Sequence, residues 1–279
     1  MSYEPPVPPA APLPTAVPEP RKPFLKRVGS AIAAAFLVIV SYGAKLKAVL
    51  LLLPKLKLLT TSGTMIVSIA AYALIWGWKF AVGFVVLLFI HEMGHVIQLR
   101  REGVEASAPM FIPFLGAVVM AKSLGRDAAA EARVGLAGPV LGTLGCLIPL
   151  AIWKGTGNDL FQALAFTGFF LNLFNLLPVL PLDGGRAMAA LSPWMWFVGY
   201  ALLIAATIAF PNPIMLLILL FGGMETWRRW KTRRSPEGER FYKVPARTRV
   251  AVAAVYVGLA IALGVGMDLT HLQRTLSSV

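Results

Sequence analysis

The stretch His91-Glu92-Met93-Gly94-His95 lies inside the apolar run Phe80 to Leu99. Residues four apart on a helix stand on one face, about 6 Å apart along the axis, so two imidazoles at this spacing can converge on one ion. The pentapeptide is therefore a candidate metal clip set in a membrane-type helix. Charged groups at membrane depth cost roughly 2.5 to 3.5 kcal/mol each on insertion scales and persist where they face a cavity, a partner or an ion. A glutamate and two histidines in one apolar run favour a functional site over a polar cluster that merely joins helices.

Composition agrees with that setting. Over 279 residues, 57% are hydrophobic and 14% charged, and the mean hydropathy is +0.72. These values exclude an ordinary soluble surface and predict an all-α polytopic membrane protein with about six to eight membrane segments. The formal net charge is +13. The basic residues cluster at the ends of apolar runs, which marks the cytoplasmic side of membrane helices and argues against a nucleic-acid partner. Cys146 is the single cysteine, so neither a disulfide framework nor a thiolate zinc site is available.

Nine of the 21 prolines fall in the first 23 residues. Residues 1–27 read as a disordered, Pro-rich cytoplasmic tail rather than a signal peptide, because the basic cluster follows the prolines. N-terminal membrane segments are expected over 28–79: a short or interfacial one from Val28 to Leu53, then Leu58 to Trp78. The core, 80–190, begins with the clip helix, which Arg100 and Arg101 close on the cytoplasmic side. Val104 to Ala121 is apolar yet broken by Pro109, Pro113 and Gly116. Such a stretch suits a small re-entrant β-hairpin or loop beside the site, tolerated only where protein or a watery cavity satisfies its backbone.

A polar connector is expected over Lys122 to Arg133, then spans from Val134 to Ile152 and from Leu160 to Leu177. Pro178, Pro181, Gly184 and Gly185 must unwind the end of that last span. Residues 191–224 hold accessory membrane segments, and 225–249 form a cytoplasmic loop with nine Lys/Arg against three acids. The last membrane helix and tail occupy 250–279.

The clip also completes the H-E-x-x-H pattern, in which two histidines hold zinc and the glutamate is general base toward a water. A catalytic zinc takes a third protein ligand. His271, the remaining histidine, falls beyond the last span on the opposite side, so a carboxylate must serve. Asp183 ends a membrane helix at the depth and side of the clip. Glu131 is an alternative but belongs to the connector. Asn175, ahead of the unwound stretch, is placed to orient a substrate carbonyl or steady oxyanion charge; Asn172, one turn earlier, reads as an interhelical packing contact.

With those residues in view, H-E-M-G-H in one membrane helix and N-L-L-P-V-L-P-L-D-G-G-R at 175–186 in a later one resemble the site-2 protease family of intramembrane zinc metalloproteases. The likeness covers roughly Phe80 to Ala190 and includes Ala137-Gly138-Pro139. It is to the minimal members, without an evident PDZ or CBS domain. It implies one Zn2+ per chain on His91, His95 and Asp183, Glu92 as general base, and Asn175 as substrate or transition-state contact. Residues 106–120 would match the family's membrane-embedded hairpin, thought to receive the unwound substrate as an added strand.

The expected function is an intramembrane zinc endopeptidase that cuts transmembrane protein substrates within or beside their helices. The expected location is the bilayer, as a multi-pass protein of a prokaryotic cytoplasmic membrane with the site toward the cytoplasm; a homo-oligomer is left open. The competing readings are another class of membrane zinc protease, a metal transporter and an inactive membrane receptor.

Overall fold

The computed structural model describes residues 61–209 and 213–271, all within one packed unit spanning 58–279. The Pro-rich tail, the segment expected from Val28 to Leu53, part of the Pro211 turn and residues 272–279 lie outside the described residues.

Helices α1 (Thr61–Trp76) and α2 (Trp78–Arg101) are followed by the strands β1 (Met110–Ile112) and β2 (Gly116–Val118). Next come α3 (Ala128–Thr156), α4 (Asp159–Asn175), α5 (Asp183–Leu191) and α6 (Met195–Ala209). Helices α7 (Pro213–Thr232), α8 (Pro236–Phe241) and α9 (Ala246–Thr270) complete the chain. Among the described residues, α2, α3 and α9, of 24, 29 and 25 residues, are long and apolar enough to cross a membrane. At 1.5 Å per residue each exceeds the roughly 30 Å hydrocarbon core. Two shorter apolar helices, α1 and α6, accompany them.

Helix α3 is the hub, packed against α2, α4, α5 and α9. Hydrophobicity alone gives little driving force between helices in lipid, so close contact depends on small residues. Gly135, Gly138, Gly142 and Gly145 fall on one face of α3. A methyl on each would strike, in turn, the Asp183 carbonyl, the two clip imidazoles, the Asn172 amide and Ile90. This face therefore sets how near α2, α4 and α5 come to one another.

The Pro/Gly stretch after the clip folds as an antiparallel hairpin, with Phe111 opposite Ala117 and a further bridge between Ala106 and Ala121. Its outer edge is held by α1. The Phe111 N–H donates to Thr64 Oγ1 and the Phe114 N–H to Tyr72 Oη, each at 3.2 Å.

Two boundaries differ from the sequence reading. Helix α3 starts at Ala128, inside the expected polar connector, because Asp127 caps it: Oδ1 accepts the Ala130 N–H at 2.8 Å. Helix α7 runs on to Thr232 and α8 follows, so much of the expected loop 225–249 is helical. Ion pairs between Glu225 and both Arg228 and Arg229, three and four residues away, support that extension.

Candidate metal centre

The candidate ligands are placed by two local devices, a helix spacing and an unwound helix end. Helix α2 carries His91 and His95 one turn apart, both buried, with ring planes 74° apart. The backbone between α4 and α5 is unwound over 176–182. Tyr256 on α9 donates its hydroxyl to the freed Leu176 carbonyl at 2.5 Å, one of the partners that broken backbone needs at membrane depth. Gly184 and Gly185 lie directly on the backbone of Leu176 to Leu180, where a side chain would collide. Asp183 is the first residue of α5 rather than part of the unwound stretch, and it is buried.

The three donor atoms form an almost equilateral triangle. His91 Nε2 and His95 Nε2 are 3.2 Å apart, and each is 3.2 Å from Asp183 Oδ2. The other carboxylate oxygen, Oδ1, faces Arg186 Nη1 at 3.6 Å. Neighbouring donors around a tetrahedral zinc with bonds of about 2.0 to 2.1 Å stand about 3.3 Å apart, so this set fits zinc. The side of the triangle facing α3 is kept clear by Gly138, whose missing methyl would overlap His95 Nε2 and reach within 2.9 Å of His91 Nε2.

Both rings are turned by hydrogen bonds at their far nitrogens. His95 Nδ1 donates to the Val134 carbonyl at 2.8 Å, and His91 Nδ1 to Asn172 Oδ1 at 2.8 Å. Donation from Nδ1 leaves the Nε2 lone pairs free for an ion.

The structure thus brings together His91, His95 and Asp183, the one group of three metal-competent side chains found among the described residues. Glu92 follows His91 on α2 and is half-buried. Asn175, the last residue of α4, is half-buried and makes no side-chain hydrogen bond among the described residues. Asn172 has the larger part, as a positioning residue for His91. The usable signal was chemical: a ligand imidazole needs an acceptor at Nδ1, and an amide in an apolar helix needs a donor. The two alternatives to Asp183 are engaged elsewhere. His271 lies 6.0 Å from Phe166, centroid to centroid. Glu131, 1% exposed, accepts from Arg229 Nη1 at 2.8 Å on both oxygens.

Comparisons with known proteins point the same way. Residues 79–158 match the family model for Peptidase family M50. Zinc metalloprotease MJ0392 of Methanocaldococcus jannaschii is 29% identical over 160 residues, covering 56% of this chain and 45% of that protein. Putative zinc metalloprotease Rip3 of Mycobacterium tuberculosis is 31% identical over 141 residues, 46% of this chain and 35% of its own length. Putative zinc metalloprotease sll0528 of Synechocystis sp. is 31% identical over 109 residues, 36% of this chain and 28% of its own length. The chain spans less than half the length of each of these relatives in the matched regions.

Proposed function

From the premise that the chain belongs to peptidase family M50, the site-2 protease family of zinc metalloproteases, we propose that it is an intramembrane endopeptidase. Its substrates are transmembrane proteins, cut within or beside a helix. The observation that carries this reading is the 3.2 Å triangle of two imidazole nitrogens and one carboxylate oxygen between apolar helices.

His91, His95 and Asp183 would hold the ion, with the hydrogen bonds at the two Nδ1 atoms fixing how the imidazoles face it. Zinc bound by these three residues would supply Lewis acidity toward a scissile carbonyl and lower the pKa of a water toward 7. Glu92 takes the proton of the attacking water and returns it to the leaving amine nitrogen. Asn175 contacts the substrate carbonyl or the oxyanion that develops from it. Arg186 Nη1 pairs with Asp183 Oδ1 at 3.6 Å, which leaves Oδ2 as the oxygen turned to the two imidazoles. The β1–β2 hairpin lies next to this core and receives the locally unwound substrate as an added strand, exposing carbonyls that a helix would hide.

In this reading 80–190 is the catalytic core, flanked by enough further segments for about six to eight in all. Arg100 and Arg101 at the end of α2, with the basic run 225–249, support a site facing the cytoplasm of a prokaryotic cell. The test is zinc content and cleavage of a transmembrane reporter by the purified chain. Glu92→Gln is expected to keep one zinc and lose cleavage, and Asp183→Ala to lose both. Undiminished cleavage by either variant overturns the assignment.

A further inference from the structure

A second feature lies outside the metal centre, where α2, α3 and α9 part to leave a groove of about 440 Å³. That volume is in the range of about 300 to 1,000 Å³ that holds small ligands. The groove is graded from end to end. On α2 its lining passes from Arg101 through Gln98 and Ile97 to Gly94. On α3 it passes from Arg133 through Leu136 to Val140, and on α9 from Thr248 through Val252 to Val255. All three helices thus present a polar or cationic residue at the same end and only apolar or small residues two turns deeper, about 10 Å along the axis.

The charge at the polar end is positive. Arg133 forks onto Glu102 at 2.6 and 2.9 Å, which neutralises one cation. Arg101 makes no ion pair among the described residues and is exposed. Arg247 and Arg249 flank Thr248 in the first turn of α9. In a bilayer this end lies at the level where α2 and α3 carry their terminal charges, which is headgroup level, and the apolar end lies among acyl chains.

We propose that this groove is a binding site for one anionic phospholipid, with its phosphate at Arg101 and the Arg133–Thr248 rim and an acyl chain running past Ile97, Val140 and Val255. A cationic rim above an apolar slot selects an amphiphile of negative head charge over a zwitterionic one, since each basic residue near the membrane surface adds attraction to anionic lipid. Gly94 and Ala137 belong to the same lining. They adjoin His95 and Gly138, so the bound chain lies behind the helix faces that form the metal cradle.

The test is native mass spectrometry of the full-length chain in detergent, titrated with phosphatidylglycerol or phosphatidylcholine of matched acyl chains. Phosphatidylglycerol is expected to remain as one tightly held copy and phosphatidylcholine to be lost at the same collision energy. Arg101→Gln is expected to weaken the anionic lipid about fivefold. Ala251→Trp, which fills the groove, is expected to remove the bound copy. Val265→Trp, on an exposed part of α9 away from the groove, is expected to retain it and thereby report that a tryptophan on this helix leaves the fold intact. Equal retention of the two lipids, full retention by Ala251→Trp, or cross-linking of residues 28–57 into the groove in place of lipid would each overturn the proposal.

Discussion

Asn172 Oδ1 accepts from His91 Nδ1 at 2.8 Å while its own Nδ2 donates to the Gly168 carbonyl at 2.8 Å. The amide is anchored by the backbone of α4 and in turn sets the tautomer and tilt of the His91 ring on α2. Such supporting contacts are commonly worth about 10- to 100-fold in metal affinity. Asn172→Leu is therefore expected to weaken zinc by that order in a chelator competition, with Asn172→Asp, which keeps an acceptor, recovering much of it. Unchanged affinity in Asn172→Leu would remove Asn172 from the positioning role.

Gly138 tests the cradle from the other side. Gly138→Ala places a methyl against both Nε2 atoms, and zinc per chain, read by elemental analysis, is expected to fall well below one. Gly258→Ala is the control, since its added methyl meets nothing within 4 Å. An alanine at 138 that still loads fully would show that the ion enters from a different direction.

Glu131 and Arg229 join α3 to α7 through a contact that bears on stability. Removing one member of a buried ion pair strands the other, at a cost of about 3 to 5 kcal/mol; Arg229 keeps some solvent contact, so about 3 is the better expectation. Arg229→Met is expected to lower the midpoint of thermal inactivation, and adding Glu131→Gln to restore part of the loss. If the single variant is as heat-resistant as the parent, the pair is dispensable.

The hairpin is held to α1 by two hydroxyls. Tyr72→Phe deprives the Phe114 N–H of its acceptor, and Thr64→Val does the same for Phe111. Each bond contributes about 1 kcal/mol net, so amide exchange at 110–118 is expected to quicken about fivefold per substitution while exchange in α3 is unaltered. Identical rates would mean that the strands hold their position without α1.

Much of the site was legible because its grammar is local. Two histidines at helical spacing, in a run too apolar to tolerate them idly, announce a clip without any knowledge of the fold. Asp183 emerged because the competing ligand types were few, and the hairpin because prolines and glycines interrupt an apolar stretch. The rest was hidden for equally physical reasons. An asparagine that packs and one that turns a ligand ring look alike in sequence until a histidine 81 positions away is known to face it. The bond from Glu131 to Arg229 spans 98 positions, beyond any periodicity. The last two turns of helix α7, beyond Met224, were obscured because dense positive charge reads as a solvated loop, whereas Glu225 offsets it from within the helix.

The candidate ligands reside on α2 and α5, elements remote from each other in the chain. An ion shared between them is accordingly a clasp as well as a reagent: whatever grips the native arrangement and ignores the unravelled one displaces that equilibrium by mass action. At free zinc one hundred times the dissociation constant the added resistance to unravelling is about 2.7 kcal/mol. Starvation for the element would then erode the longevity of the protein itself, along with its chemistry.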